Sequence, residues 1–303
     1  MTAILMKAGC FIAIILLGYM LRRIGVFQKE DFHVLSKLVL KVTLPAALVS
    51  SVAGKEISPS MLVLCLFGFG GSVIYMAVMY VLNLRAPKEK RAFKVLNISG
   101  YNIGTFTMPF VQSFLGTDGM MTTSLFDTGN AFMCLGGSYC IASMIKHGDG
   151  KMDLKQIAGT LVRSVPFDTY IIMTALNLFH LKLPEVVVTF AGVIGNANPF
   201  LAMLMLGVGM ELSINREQIA DMVRILVFRY GISVLLAVAC FRLLPFQLEY
   251  RQALAFLVFS PISAAVPAFT ADLGEDYGFS SAINTLSAMI SIVCIVVTLV
   301  LVL

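Results

Sequence analysis

The stretch SGYNIGTFTMPFVQSFLG, residues 99–116, lies inside a long apolar run but does not read like an ordinary lipid-facing helix. Asn102, Gly104, Thr105, Thr107 and Pro109 all fall between positions 102 and 109. Proline removes a backbone donor and clashes with the preceding turn, and glycine adds backbone freedom, so the helix is expected to open here. Open backbone at membrane depth survives only where it is buried in protein or lines a wet cavity. A second stretch, FSPISAAVPAFTADLG at 259–274, has the same character, with Ser260, Pro261, Ser263 and Pro267.

The surrounding sequence supplies the membrane. Of 303 residues, 58% are hydrophobic and only 13% charged, with a mean hydropathy of +0.90. A soluble domain runs at about 45–50% apolar and about 25% charged, so this chain has more apolar surface than a water-soluble fold can hide. A spanning helix needs roughly 20 apolar residues. Apolar runs give ten spans: 3–21, 34–54, 60–84, 93–114, 120–145, 159–180, 185–210, 220–244, 251–272 and 279–303. The expected fold class is an all-α polytopic membrane protein. The first run ends at Arg22-Arg23 without a small-x-small cleavage site and reads as a retained first helix. The formal charge of +5 needs no nucleic acid to explain it.

The longest polar connection, KHGDGKMDLKQ at 146–156, divides the ten spans into five and five, giving units 1–150 and 151–303. With the N-terminus outside, the inner loops hold fourteen Lys and Arg and the outer side five (Lys7, Lys55, Lys182, Arg242, Arg251), while Lys37, Lys41 and Arg229 lie within spans. The positive-inside bias then places both termini outside the cell inner membrane.

The halves repeat each other. PFVQSFLGTD (109–118) aligns with PAFTADLGED (267–276) at an offset of 158, and Asp127-Thr128 meets Asn284-Thr285 at 157. LPAALVSSVAGKEIS (44–58) resembles NPFLAMLMLGVGMELS (198–213), with Pro45 over Pro199. Five crossings per repeat force the second copy to enter with opposite polarity. Inverted repeats with discontinuous helices at the midplane are a recurring design of secondary transporters, although a duplication kept only for packing would leave the same trace.

The candidate site follows from the breaks. A half-helix starting near the midplane presents unpaired N–H groups and about half a positive charge, which suits a carboxylate without a basic side chain. Asn102, Gly104, Thr105, Thr107 and Pro109 from the first break, and Ser260, Pro261, Ser263 and Pro267 from the second, are the expected substrate-binding residues. Asn196, just before Asn198-Pro199, joins them. The bland alternative is two proline kinks filled by neighbouring hydroxyls. Asp127 sits one turn from Asn130, with Asn284 as its repeat partner. An ionisable group in a span is a functional hypothesis by default. These three are candidates for ion or proton coupling, or for capping the broken backbone. Asp168 is expected to pair with Arg163 or to reach water.

No cofactor or metal is expected: the six cysteines are scattered, the three histidines form no cluster, and no phosphate loop or hydrolase motif occurs. A proton or Na+ are the candidate coupling ions. Gly68-Phe69-Gly70-Gly71 reads as small residues that allow close helix packing. The chain is not expected to be an enzyme. Its expected partners are a small organic anion and the bilayer, with a homodimer as the possible assembly.

NIGTFTMPFVQSFLGTDGMMTTSLFDTGNAF (102–132) and PAFTADLGEDYGFSSAINTLSAMISI (267–292) resemble the crossover regions of the auxin efflux carrier family. The resemblance implies a fold like that of the bile-acid symporters. The first, second, sixth and seventh helices would form a scaffold. The third to fifth and eighth to tenth would form a mobile domain with two crossed, broken helices and an elevator-type motion. Asn102 and Pro109 match the family's first crossover and Pro267 the second. The sequence departs from the family at Val165-Pro166, where many members carry Asn-Pro, and at Ser263-Ala264-Ala265, which has no amide. The leading expectation is a transporter of a mono- or dicarboxylate, auxin-like or malate- or malonate-like. The competing one is a membrane sensor or a subunit of a complex.

Overall fold

The computed structural model describes residues 2–148, 154–210 and 218–302. The middle of the polar connection, including Lys151, and residues 211–217, which hold the end of the second repeat match and Arg216, lie outside them. The described residues form helices and connections, with no strand among them. The helices are α1 (Thr2–Arg23), α2 (Asp31–Leu38), α3 (Leu44–Val52), α4 (Val63–Leu82), α5 (Lys88–Asn97), α6 (Met108–Phe114), α7 (Gly116–Phe132) and α8 (Ser138–His147). The second half continues with α9 (Leu154–Leu161), α10 (Val165–Leu178), α11 (Glu185–Gly195), α12 (Asn198–Gly209), α13 (Ile219–Leu243), α14 (Leu248–Leu257), α15 (Val266–Asp272) and α16 (Tyr277–Val302).

Among the described residues, six helical stretches are long and apolar enough to cross a membrane: Leu5–Arg23, Asp31–Val52, Pro59–Leu82, Glu185–Gly209, Ile219–Leu243 and Tyr277–Val302. They coincide with six of the ten spans read from the sequence, and the chain is a multi-pass membrane protein. The other four are interrupted. The two expected breaks separate α5 from α6 and α14 from α15. In the fifth span a π-helical turn at Met133–Gly137 kinks at Gly136, whose φ of 152° no side-chain-bearing residue adopts readily. The sixth span, read as continuous over 159–180, is split at Arg163-Ser164 into α9 and α10. Pro166 is the cause: it lacks the N–H that a continuous helix would pair with Val162 O and its ring would clash with that carbonyl, whereas it fits the first turn of a new helix.

Several elements of the two halves correspond in length and offset. α6 and α15 are each seven residues long and start 158 residues apart. Each is followed by a glycine in the left-handed region, Gly116 with φ 61° and Gly274 with φ 75°. α5 and α14 are ten residues each, offset by 160. Both carry an arginine at equivalent positions that folds back over the preceding helix. Arg91 lies over Tyr80 and donates to Leu84 O, and Arg251 lies over Phe241 and donates to Phe241 O.

Packing brings α1 against α12, α3 against α10 and α11, and α4 against α7. Small residues set these distances. Gly68 of α4 lies against the main chain of Phe126, and Gly129 of α7 against that of Cys65, whereas Gly70 faces open space. A methyl group at 68 would collide with backbone that cannot rotate away. Gly68→Ala should therefore cost about 1–3 kcal/mol through overpacking, and Gly70→Ala should be neutral or mildly stabilising because alanine is the better helix former. Melting temperatures of the two variants in detergent check this contrast.

Candidate functional site

The two breaks meet. After α5 ends at Asn97 the chain is non-helical to Asn102, and it resumes as a π-helical turn at Ile103–Thr107 that leads into α6. After α14 ends at Leu257 it resumes at Val266. Asn102 N donates to Pro261 O at 2.9 Å, and Thr107 Oγ1 donates to Ser260 Oγ at 2.7 Å. Pro109 and Pro267 each occupy the second position of the short helix that follows the break. In a first turn the missing N–H is not needed. Pro267 therefore starts its half-helix directly, whereas Pro109 follows the π-helical turn, in which Thr107 N donates to Asn102 O at 3.3 Å.

The carbonyls left at the ends of α5 and α14 converge on one side chain that the sequence reading passed over. Arg229 of α13 is fully buried, and its guanidinium donates to Ile98 O at 2.5 Å, Gly100 O at 2.8 Å and Ser260 O at 2.9 Å. It lies over the rings of Tyr75 and Tyr101, 4.7 and 5.4 Å from their centroids. Among the described residues it forms no ion pair. Its charge is balanced by helix-end carbonyls, which carry the negative pole of the macrodipole, and by aromatic faces. Sequence pattern offers no signal for this role, since an arginine inside an apolar run looks the same whether it binds carbonyls or an acid.

Each break is also held by an amide from the helix behind it. Asn130 of α7 pairs with the main chain of Tyr101: its Nδ2 donates to Tyr101 O at 2.8 Å, and Tyr101 N donates to its Oδ1 at 3.1 Å. Asn284 of α16 donates through Nδ2 to Ile262 O at 3.2 Å and Ser263 O at 2.9 Å, and Ser287 Oγ accepts from Ile262 N at 3.0 Å. Asp127 is buried beside the first break, accepting from Asn130 Nδ2 at 2.8 Å and from Tyr170 OH of α10 at 2.7 Å. Among the described residues it has no cationic partner.

Two cavities flank the joined breaks, and Asn102, Thr105 and Ala264 line both. One, of about 430 Å³, also reaches Gly104, Asp127, Asn130, Cys134 and Ser263, with Lys41 and Arg163 among its walls. The other, of about 300 Å³, is largely apolar and reaches Asn284 and Thr285. Asn102 is half-buried. Its Oδ1 accepts from Thr105 Oγ1 at 2.5 Å, and its Nδ2 has no protein partner among the described residues. The geometry thus presents an amide donor, the first N–H groups of a half-helix and a neighbouring hydroxyl to one space. Thr107, Pro109, Ser260, Pro261 and Pro267 are buried and line neither cavity. They build the breaks.

Asn196 does not join the site. It caps α11 with its side chain exposed, because the chain turns outward between α11 and α12. Its neighbour Asn198 is the buried one. It accepts from Thr43 Oγ1 at 3.1 Å and donates to Gln112 Oε1 at 3.2 Å, while Gln112 donates to Gly195 O at 3.0 Å. This set ties α6 to α11 and α12. Asp168 forms no ion pair with Arg163 or any other described residue.

A family model described as "Membrane transport protein" matches residues 4–303. A curated relative from Methanothermobacter thermautotrophicus, described as an uncharacterized transporter, is 26% identical over 279 residues, covering 88% of each chain.

Arg229→Met would leave three buried carbonyls without their donor, at roughly 1–3 kcal/mol for each unsatisfied group. Its melting temperature in detergent should fall steeply, while Arg224→Met, an exposed position on the same helix, should melt like the parent. Arg229→Lys should recover only part of the loss, because a compact ammonium cannot reproduce the planar fork.

Proposed function

We propose a carrier mechanism from one premise: this chain belongs to the membrane transport protein family, that of the auxin efflux carriers. It is a membrane transporter, and its cargo on our reading is a small organic anion, a mono- or dicarboxylate, held where the two breaks join. The observation that carries this is Asn102. Its amide nitrogen, at the start of a half-helix, has no partner among the described residues, and the residue borders both cavities. The surroundings favour negative charge: helix N-terminal N–H groups in front, Lys41 and Arg163 in the walls of the larger cavity, and Arg229 behind the break. The apolar part of the carboxylate would lie against the smaller cavity.

The mechanism we infer is elevator-type alternating access across ten crossings arranged as inverted repeats, in the cell inner membrane with both termini outside. The matched lengths and offsets of α5 with α14 and of α6 with α15 support the repeat. The packing of α1 with α12 and of α3 with α10 and α11 supports a scaffold made from the first, second, sixth and seventh crossings. The remaining crossings would move, carrying both breaks. The Tyr170–Asp127 and Asn198–Gln112 hydrogen bonds run between these two groups, so they would have to break in each cycle. Asp127 would couple transport to a proton or Na+, with Asn130 and Asn284 holding the two breaks in place.

A hydrogen bond to a charged group contributes about 1.5–3 kcal/mol, so Asn102→Ala should weaken binding roughly ten- to a hundredfold with little change in melting temperature. The ligand for this test is the carboxylate that most raises the melting temperature of the parent in a panel of mono- and dicarboxylates. Parental affinity in Asn102→Ala would remove the substrate from the joined breaks. Asp127→Asn, nearly isosteric, should abolish the pH or Na+ dependence of uptake into proteoliposomes; retained dependence would leave Asp127 a purely structural role.

A further inference from the structure

A groove outside the candidate site has no assigned occupant. It lies between α4, α5 and α8, has a volume of about 590 Å³, and is walled by Val73, Ala77, Ile141 and Ile145 with Lys88 and Arg91 in its lining. Lys88 is exposed and forms no ion pair among the described residues. Arg91 stacks on Tyr80 at 5.1 Å and donates to Leu84 O at 3.1 Å, and its Nε is buried and has no partner among the described residues. Exposed Arg85 and Lys90 stand nearby in sequence, with Glu89 as the one acid between residues 85 and 91. Lys94 is already committed to Asp221 at 2.7 Å.

Apolar walls capped by unpaired cations at one end of a helix bundle match one ligand chemistry, an acyl chain joined to a phosphate. The groove lies at the helix ends with the larger share of Lys and Arg, which the positive-inside bias turns toward the anionic leaflet. A second copy of this chain would bring like charges together. The repeat supplies an internal comparison: the equivalent crevice between α13, α14 and α16, about 500 Å³, has one cation, Arg242, in its lining. Two cations are therefore not a demand of the fold.

We propose that the groove between α4, α5 and α8 binds an anionic phospholipid, with an acyl chain between α4 and α8 and its phosphate on Lys88 and Arg91. The proposal stands independently of the transported substrate. Native mass spectrometry of the full chain in neutral detergent, titrated with phosphatidylglycerol or phosphatidylcholine, tests it. The parent should retain one phosphatidylglycerol in clear preference to phosphatidylcholine. With each cation contributing about fivefold, the double variant Lys88→Gln, Arg91→Gln should bind phosphatidylglycerol about 25-fold more weakly. Ala77→Trp, an exposed wall position, should lose the lipid with both cations intact. Equal retention of the two lipids by the parent, or unchanged phosphatidylglycerol retention in both variants, would overturn the proposal.

Discussion

A helix broken inside a membrane leaves carbonyls that neither lipid nor a neighbouring turn can satisfy, and in this protein one guanidinium takes up three of them. Arg229 draws Ile98 O and Gly100 O from the first break and Ser260 O from the second. An apolar residue at 229 would leave the breaks to repel each other through like poles. A lysine would offer a point charge where a planar fork is needed. The Asn102–Pro261 and Thr107–Ser260 contacts then fix the register between the two. Everything proposed about the site presupposes this join, because the cavities exist where the chain has been kept from closing into continuous helix.

Each break has its own amide, but the chemistry around the two differs. Asn130 and Asn284 both serve the main chain of the break beside them. Asp127 stands at the position that Asn284 occupies in the second half, and only the first half therefore places a carboxylate at the join. The cavity walls are asymmetric in the same sense: Lys41 and Arg163 border the cavity that holds Asp127, and the cavity on the Asn284 side is apolar. A frame with one buried acid among the described residues suits a carrier in which that acid serves a role other than holding the cargo.

How much of this was legible in the sequence depended on what each feature does to the backbone. The fourth and ninth spans showed their breaks because proline and glycine act locally, and the seven-residue half-helices appeared as the PFVQSFLGTD and PAFTADLGED match. The break before Pro166 went unread because its flanks are apolar and only the proline's effect on the preceding residues marks it. Asn196 and Asn198 are two apart in sequence, and their facing is decided by the short turn between α11 and α12, which no periodicity spans. Arg229 was visible only as a charge within a span. Its partners are main-chain atoms about 130 residues away and 31 residues away, and main-chain partners leave no trace in side-chain pattern.

On the proposed reading the cargo lies against the joined breaks, where Cys134 offers a native reporter. Its thiol lines the larger cavity and lies 3.2 Å from Asn130 Oδ1. In a chain whose other five cysteines are replaced, the rate at which a small charged thiol reagent modifies Cys134 can be followed with and without the carboxylate that stabilises the protein. Saturating carboxylate should slow this modification at least tenfold, while a thiol introduced at exposed Val186 of α11 should react at an unchanged rate. Equal modification of Cys134 with and without the stabilising carboxylate would contradict binding at the breaks.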